Sequence, residues 1–377
     1  MRIVIDIGGA LGSPSGFRRY IEELLRALAE LDKANEYLLY AAFWSGFPDR
    51  ISQIDLPRQS NFRLALRRLP QKLALPIEER LRWRIQEKWL LPFQPDLFHG
   101  AGSILPRLAR LPSVVTIHHV SDKPDRETWW SRFYGAELTR RACLEADKLI
   151  AISHQTKSDM LGLYGIDPCK VEVIWEGGPA EVFKSPASDA SLAGLAIRKP
   201  YILFVSAINE RKNLSTLIRA FAELKTRSSI AHSLVLAGWR EEAAFRELQG
   251  EIDRLKIAGE VRFIDSLSHE QLNALYRGAD LFVYPSLLEG FGLPLLEAMA
   301  CGVPVIAARA SVLPEIAGDA ALYFEGKDPH DLAARMAQVL QDAELRRELV
   351  TKGFERLRCF DWRRTAAQTL RVYESFL

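Results

Sequence analysis

Residues 284–304 read YPSLLEGFGLPLLEAMACGVP, and this stretch decides the fold. It begins at the end of an apolar run, continues through a loop with glycines, and opens a helix near Leu293 with Pro294 in the first turn. Gly290 and Gly292 allow a ligand to approach the backbone closely, and free amides at a helix start suit a phosphate group. The stretch therefore predicts a strand–loop–helix unit that binds a phosphorylated ligand.

Two glutamates of this stretch are candidates for contact with that ligand. Glu297 lies about one turn into the predicted helix, where its carboxylate can accept both hydroxyls of a ribose diol. Glu289 lies in the loop, where it can reach a sugar joined to the phosphate. A solvated helix residue is the alternative interpretation of Glu297 by itself, but the glycines and the two spaced acids together favour a binding role.

Short apolar runs alternate with amphipathic stretches along the chain, which is typical of βα units on parallel sheets. The predicted strands are Ile3–Ile7, Tyr37–Ala42, Leu97–His99, Val114–Ile117, Lys148–Ile152, Val171–Ile174, Tyr201–Ser206, Ser233–Ala237, Val261–Ile264, Leu281–Tyr284, Val303–Ala307 and Ala321–Phe324. The predicted helices are Tyr20–Leu31, Arg132–Ala146, Leu214–Thr226, Glu241–Lys256, His269–Gly278 and Pro294–Ala300. The expected fold class is α/β, with two Rossmann-like, doubly wound parallel sheets that face a cleft.

The joint between the two predicted domains lies at residues 176–179, where the sequence EGGP breaks regular structure. The stretch that follows is small and polar, as expected of a linker. We therefore predict an N-terminal domain over residues 1–180, a linker over 181–199 and a C-terminal domain over 200–360.

The composition excludes several classes of protein. The 377 residues are 48% hydrophobic and 26% charged, which fits a globular protein of two domains. Lysine and arginine number 50 against 48 aspartates and glutamates, so the net charge of +2 predicts no nucleic-acid partner. The four cysteines form no C-x-x-C pair, which argues against a disulfide framework and against a structural zinc site.

The same features predict a cytoplasmic protein. Scattered reduced thiols fit the cytoplasm. The apolar run at the N-terminus is too short for a signal peptide, and no stretch reaches the ~18 apolar residues that span a bilayer. Any membrane contact is therefore expected to be peripheral.

The stretch 284–304 resembles the signature of the retaining glycosyltransferases of family 4, with its two glutamates separated by seven residues. Three further segments resemble that family: ADKLIAIS at 146–153, NERKNL at 209–214 and LPEIAGDAA at 313–321. The resemblance covers nearly the whole chain and implies the GT-B fold, with a final helix at 361–377 that returns to the N-terminal domain. It also implies transfer of a sugar from a nucleotide diphosphate donor with retention at the anomeric carbon.

The resemblance assigns site residues position by position. It implies catalytic roles for His118, Glu289, Arg211 and Lys212. His118 matches the family histidine beside the donor sugar, while Arg211 and Lys212 match the phosphate-binding turn. Binding of the donor is assigned to Glu297, Gly290, Phe291, Gly292, Leu293, Gly12 and Gly16, the last two in the first loop of the chain.

Two positions depart from the family pattern. Many relatives carry a further basic residue just after the strand that begins at Tyr201, where this chain has Ser206 and Ala207. Arg211 is therefore expected to carry more of the phosphate charge. Relatives often have an aspartate after the histidine, where this chain has His119, and the role of His119 stays open.

No metal and no other cofactor is expected. Arg211 and Lys212 can stabilise the leaving diphosphate in place of a divalent ion, and the chain contains no D-x-D triplet. By overall pattern the nearest look-alikes are bacterial polysaccharide mannosyltransferases. They make mannose from GDP-mannose the first expectation for the donor, and a glycan or lipid-linked molecule the expected acceptor.

Two alternatives stay open beside a transferase. A sugar-nucleotide epimerase of the GT-B fold would share the nucleotide site and turn over the donor without an acceptor. A non-catalytic subunit would bind the sugar nucleotide and transfer nothing. A dehydrogenase is disfavoured, because the first loop does not fit the pattern G-x-G-x-x-G.

The stretch Arg63–Lys88 is strongly basic. It holds eight basic and three acidic residues, interleaved with leucines and tryptophan. Such a segment suits the surface of an anionic bilayer near a lipid-linked acceptor, which would place the protein on the inner face of the plasma membrane. An ordinary surface helix is an equal alternative.

Overall fold

The computed structural model describes residues 1–11, 16–43, 51–69, 77–78, 80–120, 135–186, 192, 195, 197–265 and 267–377. The chain divides into two compact units. The first unit consists of Met1–Gly177 together with Asp361–Leu377, and the second unit consists of Gly178–Phe360.

The first unit is built on a parallel sheet that has seven strands within the described residues. They are β1 (Arg2–Asp6), β2 (Glu36–Phe43), β3 (Phe62–Arg68), β4 (Leu97–Gly100), β5 (Ser113–Ile117), β6 (Lys148–Ala151) and β7 (Val171–Val173). Their order is β3-β2-β1-β4-β5-β6-β7, with Val4 of β1 opposite Leu38 of β2. The order reverses between β1 and β4, which makes a switch point at the carboxyl ends of these strands.

Helices accompany this sheet, and the last of them comes from the end of the chain. The longer ones are Gly16–Leu31, Ile85–Leu90, Ala136–Glu145, His154–Tyr164 and Trp362–Glu374. The final helix packs on the helix Gly16–Leu31. Tyr373 of the final helix is fully buried, and its hydroxyl lies 2.6 Å from Nδ1 of His99 on β4. The final helix is therefore part of the core of the first unit.

The second unit is built on a parallel sheet with six strands among the residues described. They are β8 (Tyr201–Val205), β9 (Ser233–Ala237), β10 (Val261–Ile264), β11 (Leu281–Tyr284), β12 (Val305–Ala308) and β13 (Ala321–Phe324). Their order is β10-β9-β8-β11-β12-β13. The order reverses between β8 and β11, so the loops after these two strands lie at the place where such sheets bind ligands.

Helices precede, connect and follow these strands. They are Glu181–Lys184, Leu214–Arg227, Glu242–Arg254, His269–Arg277, Leu293–Ala300, Leu313–Ala317, Pro329–Gln341 and Ala343–Leu357. Side-chain caps begin several of them: Ser268, for example, forms a reciprocal capping box with Gln271. The two sheets with their connecting helices confirm the predicted α/β class.

The structure corrects the interpretation of the basic stretch Arg63–Lys88. Its first part is no surface helix, because Phe62–Arg68 forms the edge strand β3. Trp89, just beyond the stretch, packs under Arg67, whose guanidinium carbon lies 5.4 Å from the ring centroid. Residues 70–76 and 79 lie outside the described residues. The described residues therefore do not form one surface helix over Arg63–Lys88, and membrane contact, for which the later part of the stretch is the candidate, stays a prediction.

That later part exposes apolar and basic side chains together. Leu81 and Trp83 are 51% and 56% exposed, and Arg80, Arg82 and Arg84 are exposed beside them. We call Arg80–Arg84 the basic patch. Exposed aromatic and basic side chains in one short segment are typical of a surface that contacts an anionic bilayer.

Part of the predicted linker is regular structure. Residues Glu181–Lys184 form a short helix, and Phe183 is buried against Tyr276 with ring centroids 5.8 Å apart. The carbonyl of Phe183 also accepts a hydrogen bond from Arg277 at 2.9 Å. This helix therefore belongs to the second unit, whose boundary falls between Gly177 and Gly178.

Candidate functional site

The loop between β11 and the helix Leu293–Ala300 lies at the switch point of the second sheet. Gly292 caps this helix with a φ of 97°, a left-handed conformation that favours glycine. A Cβ atom at Gly292 would also lie only 3.2 Å from the side chain of Leu313. Pro294 occupies the first turn, where a missing N–H leaves no hydrogen bond unmade. The predicted strand–loop–helix unit is confirmed.

A buried ion pair lies beside this loop. The ammonium of Lys212 donates to Oε1 of Glu289, and these two side chains are only 7% and 13% exposed. Tyr284, the last residue of β11, donates its hydroxyl to the same Oε1 at 2.8 Å. The structure thus brings together two of the predicted catalytic residues and adds a tyrosine that the sequence analysis had not singled out.

The charge of Lys212 decides the protonation state of Glu289. Burial alone would raise the pKa of this carboxyl group, because a buried charge loses its hydration. The charge of Lys212, with hydrogen bonds from Lys212, Ser286 and Tyr284, outweighs burial and holds the pKa of Glu289 below its ordinary value. Glu289 is therefore an ionised acceptor at neutral pH.

Arg211 lies next to this pair in a single 3-10 turn, Glu210–Lys212, after β8. Its backbone carbonyl accepts the N–H of Leu287 at 3.1 Å, which joins this turn to the loop after β11. Within the part of the chain that the structure describes, the guanidinium of Arg211 has no ion-pair partner. The turn therefore presents one cation that Glu289 neutralises and one that is uncompensated.

Two residues that the sequence analysis missed hold these loops in place. The side-chain amide of Asn213 donates to the carbonyls of Pro285 at 3.1 Å and Gly326 at 2.5 Å. Ser311 donates its hydroxyl to the carbonyl of Glu289 at 3.0 Å. Asn213 has a φ of 54°, and asparagine is one of the few residues besides glycine that is enriched in this left-handed conformation, so its identity is a weak sequence signal. No comparable signal marks Ser311.

Glu297 is also buried and accepts a hydrogen bond from a tyrosine. It is 7% exposed, and its Oε2 accepts the hydroxyl of Tyr276 at 2.9 Å. Burial raises the pKa of Tyr276, and the negative charge of Glu297 raises it further, so this hydroxyl keeps its proton. These contacts exclude the alternative in which Glu297 is a solvated helix residue.

The other predicted donor contacts in this loop are limited to backbone groups. The ring of Phe291 is buried against Phe360, with centroids 5.8 Å apart, and Leu293 is also buried. Gly290 and Gly292 have no side chains. Any contact of a ligand with residues 290–293 would therefore use their N–H and C=O groups.

His118 follows β5 in the first unit, and its ring is fixed on several sides. Phe17 and Tyr20 pack edge-on against it, with ring centroids 5.0 and 4.7 Å away. Nε2 lies 2.8 Å from the carbonyl of Ala101, which can only accept, so Nε2 carries a hydrogen. Nδ1 faces a carboxylate oxygen of the buried Glu176 at 3.4 Å.

The remaining residues of interest lie in or near the first loop, where Gly12 and Gly16 are predicted ligand contacts, and after β5, where the role of His119 is open. Gly16 is the exposed first residue of the helix Gly16–Leu31. Gly12 lies outside the described residues. His119 is exposed. The ligand contacts of Gly12 and Gly16 stay predictions.

Neither a metal-binding cluster nor a membrane-spanning helix occurs within the described residues. In these ranges, no group of three or more His, Cys, Asp or Glu residues is arranged to hold a metal ion. No helix in the same part of the chain combines the length and the apolar character that crossing a bilayer requires.

Two family models match the chain, one in each half. Residues 14–178 match the model described as Glycosyltransferase Family 4, and residues 193–356 match the model described as Glycosyl transferases group 1. The chain belongs to glycosyltransferase family 4. The resemblance seen in the sequence is thereby confirmed.

Individual relatives extend over the whole chain. O-antigen chain mannosyltransferase B of Escherichia coli is 29% identical over 373 residues, with 96% of both chains covered. The MMP alpha-(1->4)-mannosyltransferase of Mycolicibacterium hassiacum is 28% identical, with 94% of this chain and 93% of the relative covered. This chain is therefore similar to mannosyltransferases along nearly its full length.

Solved structures show the same fold. HepE of Anabaena, in complex with UDP-glucose, superposes with a TM-score of 0.74 and 20% identity, and each chain is covered completely. Together with the two parallel-sheet units, this similarity confirms the GT-B fold. The protein is a glycosyltransferase of that fold.

Proposed function

We propose that this glycosyltransferase moves a sugar from a nucleotide diphosphate donor to a glycan or lipid-linked acceptor, with retention at the anomeric carbon. The first choice of donor is GDP-mannose, because two relatives that match over nearly their full length are named mannosyltransferases. A structural neighbour holds UDP-glucose, a donor of the same chemical class.

The observation that carries this proposal is the buried arrangement of Lys212, Glu289 and Tyr284 beside the uncompensated charge of Arg211. A diphosphate that leaves a sugar gains negative charge, and fixed cations in a partly buried site stabilise that charge. Backbone amides at the start of the helix Leu293–Ala300 would add to this stabilisation. The ionised Glu289 would accept hydrogen bonds from hydroxyls of the donor sugar.

A panel of nucleotide sugars tests this proposal. The purified protein is incubated with GDP-mannose, UDP-glucose and other sugar nucleotides, together with membrane and glycan extracts as acceptors, and released nucleotide is measured. We expect release from one donor class, with GDP-mannose preferred, and a rise when acceptor is added. Conversion of the donor, without acceptor, into an isomerised sugar nucleotide with no net release of nucleotide would instead indicate an epimerase.

Glu297 is proposed to hold the ribose of the donor. Replacing Glu297 with alanine removes a buried carboxylate that can accept two ribose hydroxyls, so nucleoside diphosphate binding should weaken by roughly 1–3 kcal/mol. Calorimetry with GDP measures the change. Unchanged affinity would remove Glu297 from the ribose site, and Glu325→Ala, which alters an exposed glutamate of the same unit, is the matched control.

Activity is expected to survive chelation. Because Arg211 and Lys212 supply the positive charge for the diphosphate, excess EDTA should leave the rate of sugar transfer unchanged. The measurement is transfer in EDTA, compared with transfer after addition of magnesium or manganese. A loss on chelation that either ion restores would contradict the proposed role of the two cations.

The basic patch is proposed to hold the protein on an anionic membrane near a lipid-linked acceptor. Changing Arg80, Arg82 and Arg84 to glutamate should abolish sedimentation with anionic vesicles at low salt, because each charge near such a surface contributes about 1 kcal/mol. Donor binding should be unchanged, since the proposed nucleotide contacts lie in the second unit.

A matched control carries the same change of charge elsewhere. Residues Arg246, Arg254 and Lys256 are exposed on the second unit, and their replacement by glutamate should leave vesicle binding intact. If the wild-type protein does not bind anionic vesicles at low salt, the basic patch is an ordinary surface segment.

A further inference from the structure

Tyr284 occupies a buried position between the two charged residues of the site. It is 1% exposed, and its ring lies nearly parallel to those of Phe204 and Phe282, with centroids 6.0 and 5.8 Å away. A phenylalanine would satisfy this aromatic packing equally well. Packing of the core therefore does not explain the hydroxyl of Tyr284.

Each of the two hydrogen bonds of that hydroxyl can run in only one direction. Its hydrogen goes to Oε1 of Glu289 at 2.8 Å, because an ionised carboxylate can only accept. Its oxygen accepts from Nζ of Lys212 at 3.4 Å, because an ammonium group can only donate. The hydroxyl thus links the carboxylate and the ammonium and fixes the direction in which each faces.

The ammonium group of Lys212 has more N–H donors than these two contacts use. An ammonium group has three N–H donors. Glu289 and Tyr284 together occupy at most two of them. Within the described residues no third acceptor for Lys212 is found, so one N–H remains to bind a ligand oxygen.

We infer that Tyr284 is a positioning residue, whose hydroxyl locks Glu289 and Lys212 into one arrangement and directs the remaining N–H of Lys212 at the diphosphate of the donor. This inference rests on the proposed function. It adds a residue that acts through the pair, without requiring Tyr284 to touch the substrate. Burial and the charge of Glu289 raise the pKa of Tyr284 well above its ordinary range, so its hydroxyl stays a donor at every working pH.

The second glutamate provides a matched comparison. Tyr276 is also buried, and its hydroxyl donates to Glu297 at 2.9 Å. Each of the variants Tyr284→Phe and Tyr276→Phe therefore removes a hydroxyl that donates to a glutamate, and the two glutamates have different proposed roles. Tyr201→Phe is the control for stability, because among the described residues the buried hydroxyl of Tyr201 bonds only the carbonyl of Leu275, at 2.6 Å.

The test combines donor turnover with nucleotide affinity. For each variant, GDP affinity is measured by calorimetry, and kcat and KM are measured with the sugar nucleotide that the wild type uses. Tyr284→Phe should lower kcat by about tenfold and change GDP affinity by less than about threefold, since one hydrogen bond in the site is lost. Tyr276→Phe should mainly weaken GDP affinity, and Tyr201→Phe should change neither.

The pH profile gives a readout that a loss of stability would not move. The titratable groups that face Glu289 among the described residues are Lys212 and Tyr284. Loss of the Tyr284 hydroxyl removes a hydrogen bond to the ionised carboxylate, so the pKa of Glu289 rises and the acidic limb of kcat moves to higher pH. The acidic limb of Tyr276→Phe should stay where it is in the wild type.

A double-mutant cycle separates positioning from structure. If Tyr284 acts through Glu289, then Tyr284→Phe should have little further effect on kcat in a Glu289→Gln background. Additive effects, an unmoved acidic limb, or equal losses in Tyr284→Phe and Tyr201→Phe would each overturn the inference. A wild type that turns over no sugar nucleotide would overturn the proposed function, and the inference with it.

Discussion

Replacing Lys212 with methionine is expected to lower the stability of the second unit and to remove nearly all sugar transfer. The buried Glu289 would lose its countercharge, and breaking a buried ion pair from one side costs about 3 kcal/mol or more of unfolding free energy. Loss of a fixed cation at the proposed diphosphate position should lower the transfer rate by about 10²–10³-fold. Chemical denaturation and single-turnover transfer measure the two effects.

The pH dependence of stability checks the physical cause. In the wild type the pKa of Glu289 is depressed, so the ion pair stabilises above the ordinary carboxyl pKa and this contribution is lost as the pH falls through the depressed pKa. In Lys212→Met burial dominates and raises that pKa, so Glu289 takes up a proton as the pH falls and its buried charge disappears. The stability difference between the two proteins should therefore shrink toward acidic pH.

Arg211→Met is the matched control for this variant. Arg211 is the neighbouring cation, and it has no ion-pair partner among the residues described, so its removal should weaken nucleotide binding and transfer without the loss of stability. If Lys212→Met is as stable as Arg211→Met at neutral pH, the buried ion pair does not contribute to the free energy of unfolding as we propose.

Replacing His118 with alanine is expected to reduce turnover by about a hundredfold while nucleotide affinity stays nearly intact. The family resemblance assigns His118 to the donor sugar, whereas the proposed contacts with the diphosphate and the ribose come from residues 211–297. The ring is held in one place by Phe17, Tyr20 and Ala101. Misplacement of a group at a reacting centre by ~1 Å can already cost about 10²-fold, so we expect its removal to cost at least as much. Single-turnover transfer and calorimetry with GDP separate the two quantities.

A structural histidine of the same unit serves as the control. His99 on β4 is fully buried, and its two nitrogens bond Tyr373 and Thr116. His99→Gln should lower the thermal stability and leave the turnover of the folded fraction close to the wild-type value. If His118→Ala weakens GDP binding as much as Lys212→Met while sparing turnover, the roles assigned to the two residues are wrong.

The backbone structure of the site is predictable from the sequence, because the residues that begin and end its strands and helices act on their immediate neighbours. A left-handed glycine at 292, a proline at 294 and apolar runs of strand length each dictate backbone structure from neighbouring residues alone. Two predicted functional residues, Lys212 and Glu289, do meet in the fold. That they neutralise each other was not predictable, since nothing in the sequence shows which charges meet across 77 positions.

The errors have equally local causes. Phe62–Arg68 was missed as a strand because an edge strand exposes one side and carries charges such as Arg63 and Arg68, which blurs the apolar pattern of a buried strand. The roles of Tyr284 and Ser311 depend on contacts with other segments, which composition and spacing do not reveal. An aromatic hydroxyl at the carboxyl end of a strand beside a switch point was the one available signal for Tyr284.

The stereochemistry of the product tests the central claim most directly. The wild-type protein is given its preferred sugar nucleotide and an acceptor, and the anomeric configuration of the newly formed linkage is determined by NMR before any later reaction can change it. We expect a linkage with the same anomeric configuration as the donor, α from GDP-α-mannose, formed together with one nucleoside diphosphate for each sugar transferred. A linkage of inverted configuration, or nucleotide release with no sugar joined to the acceptor, would contradict it.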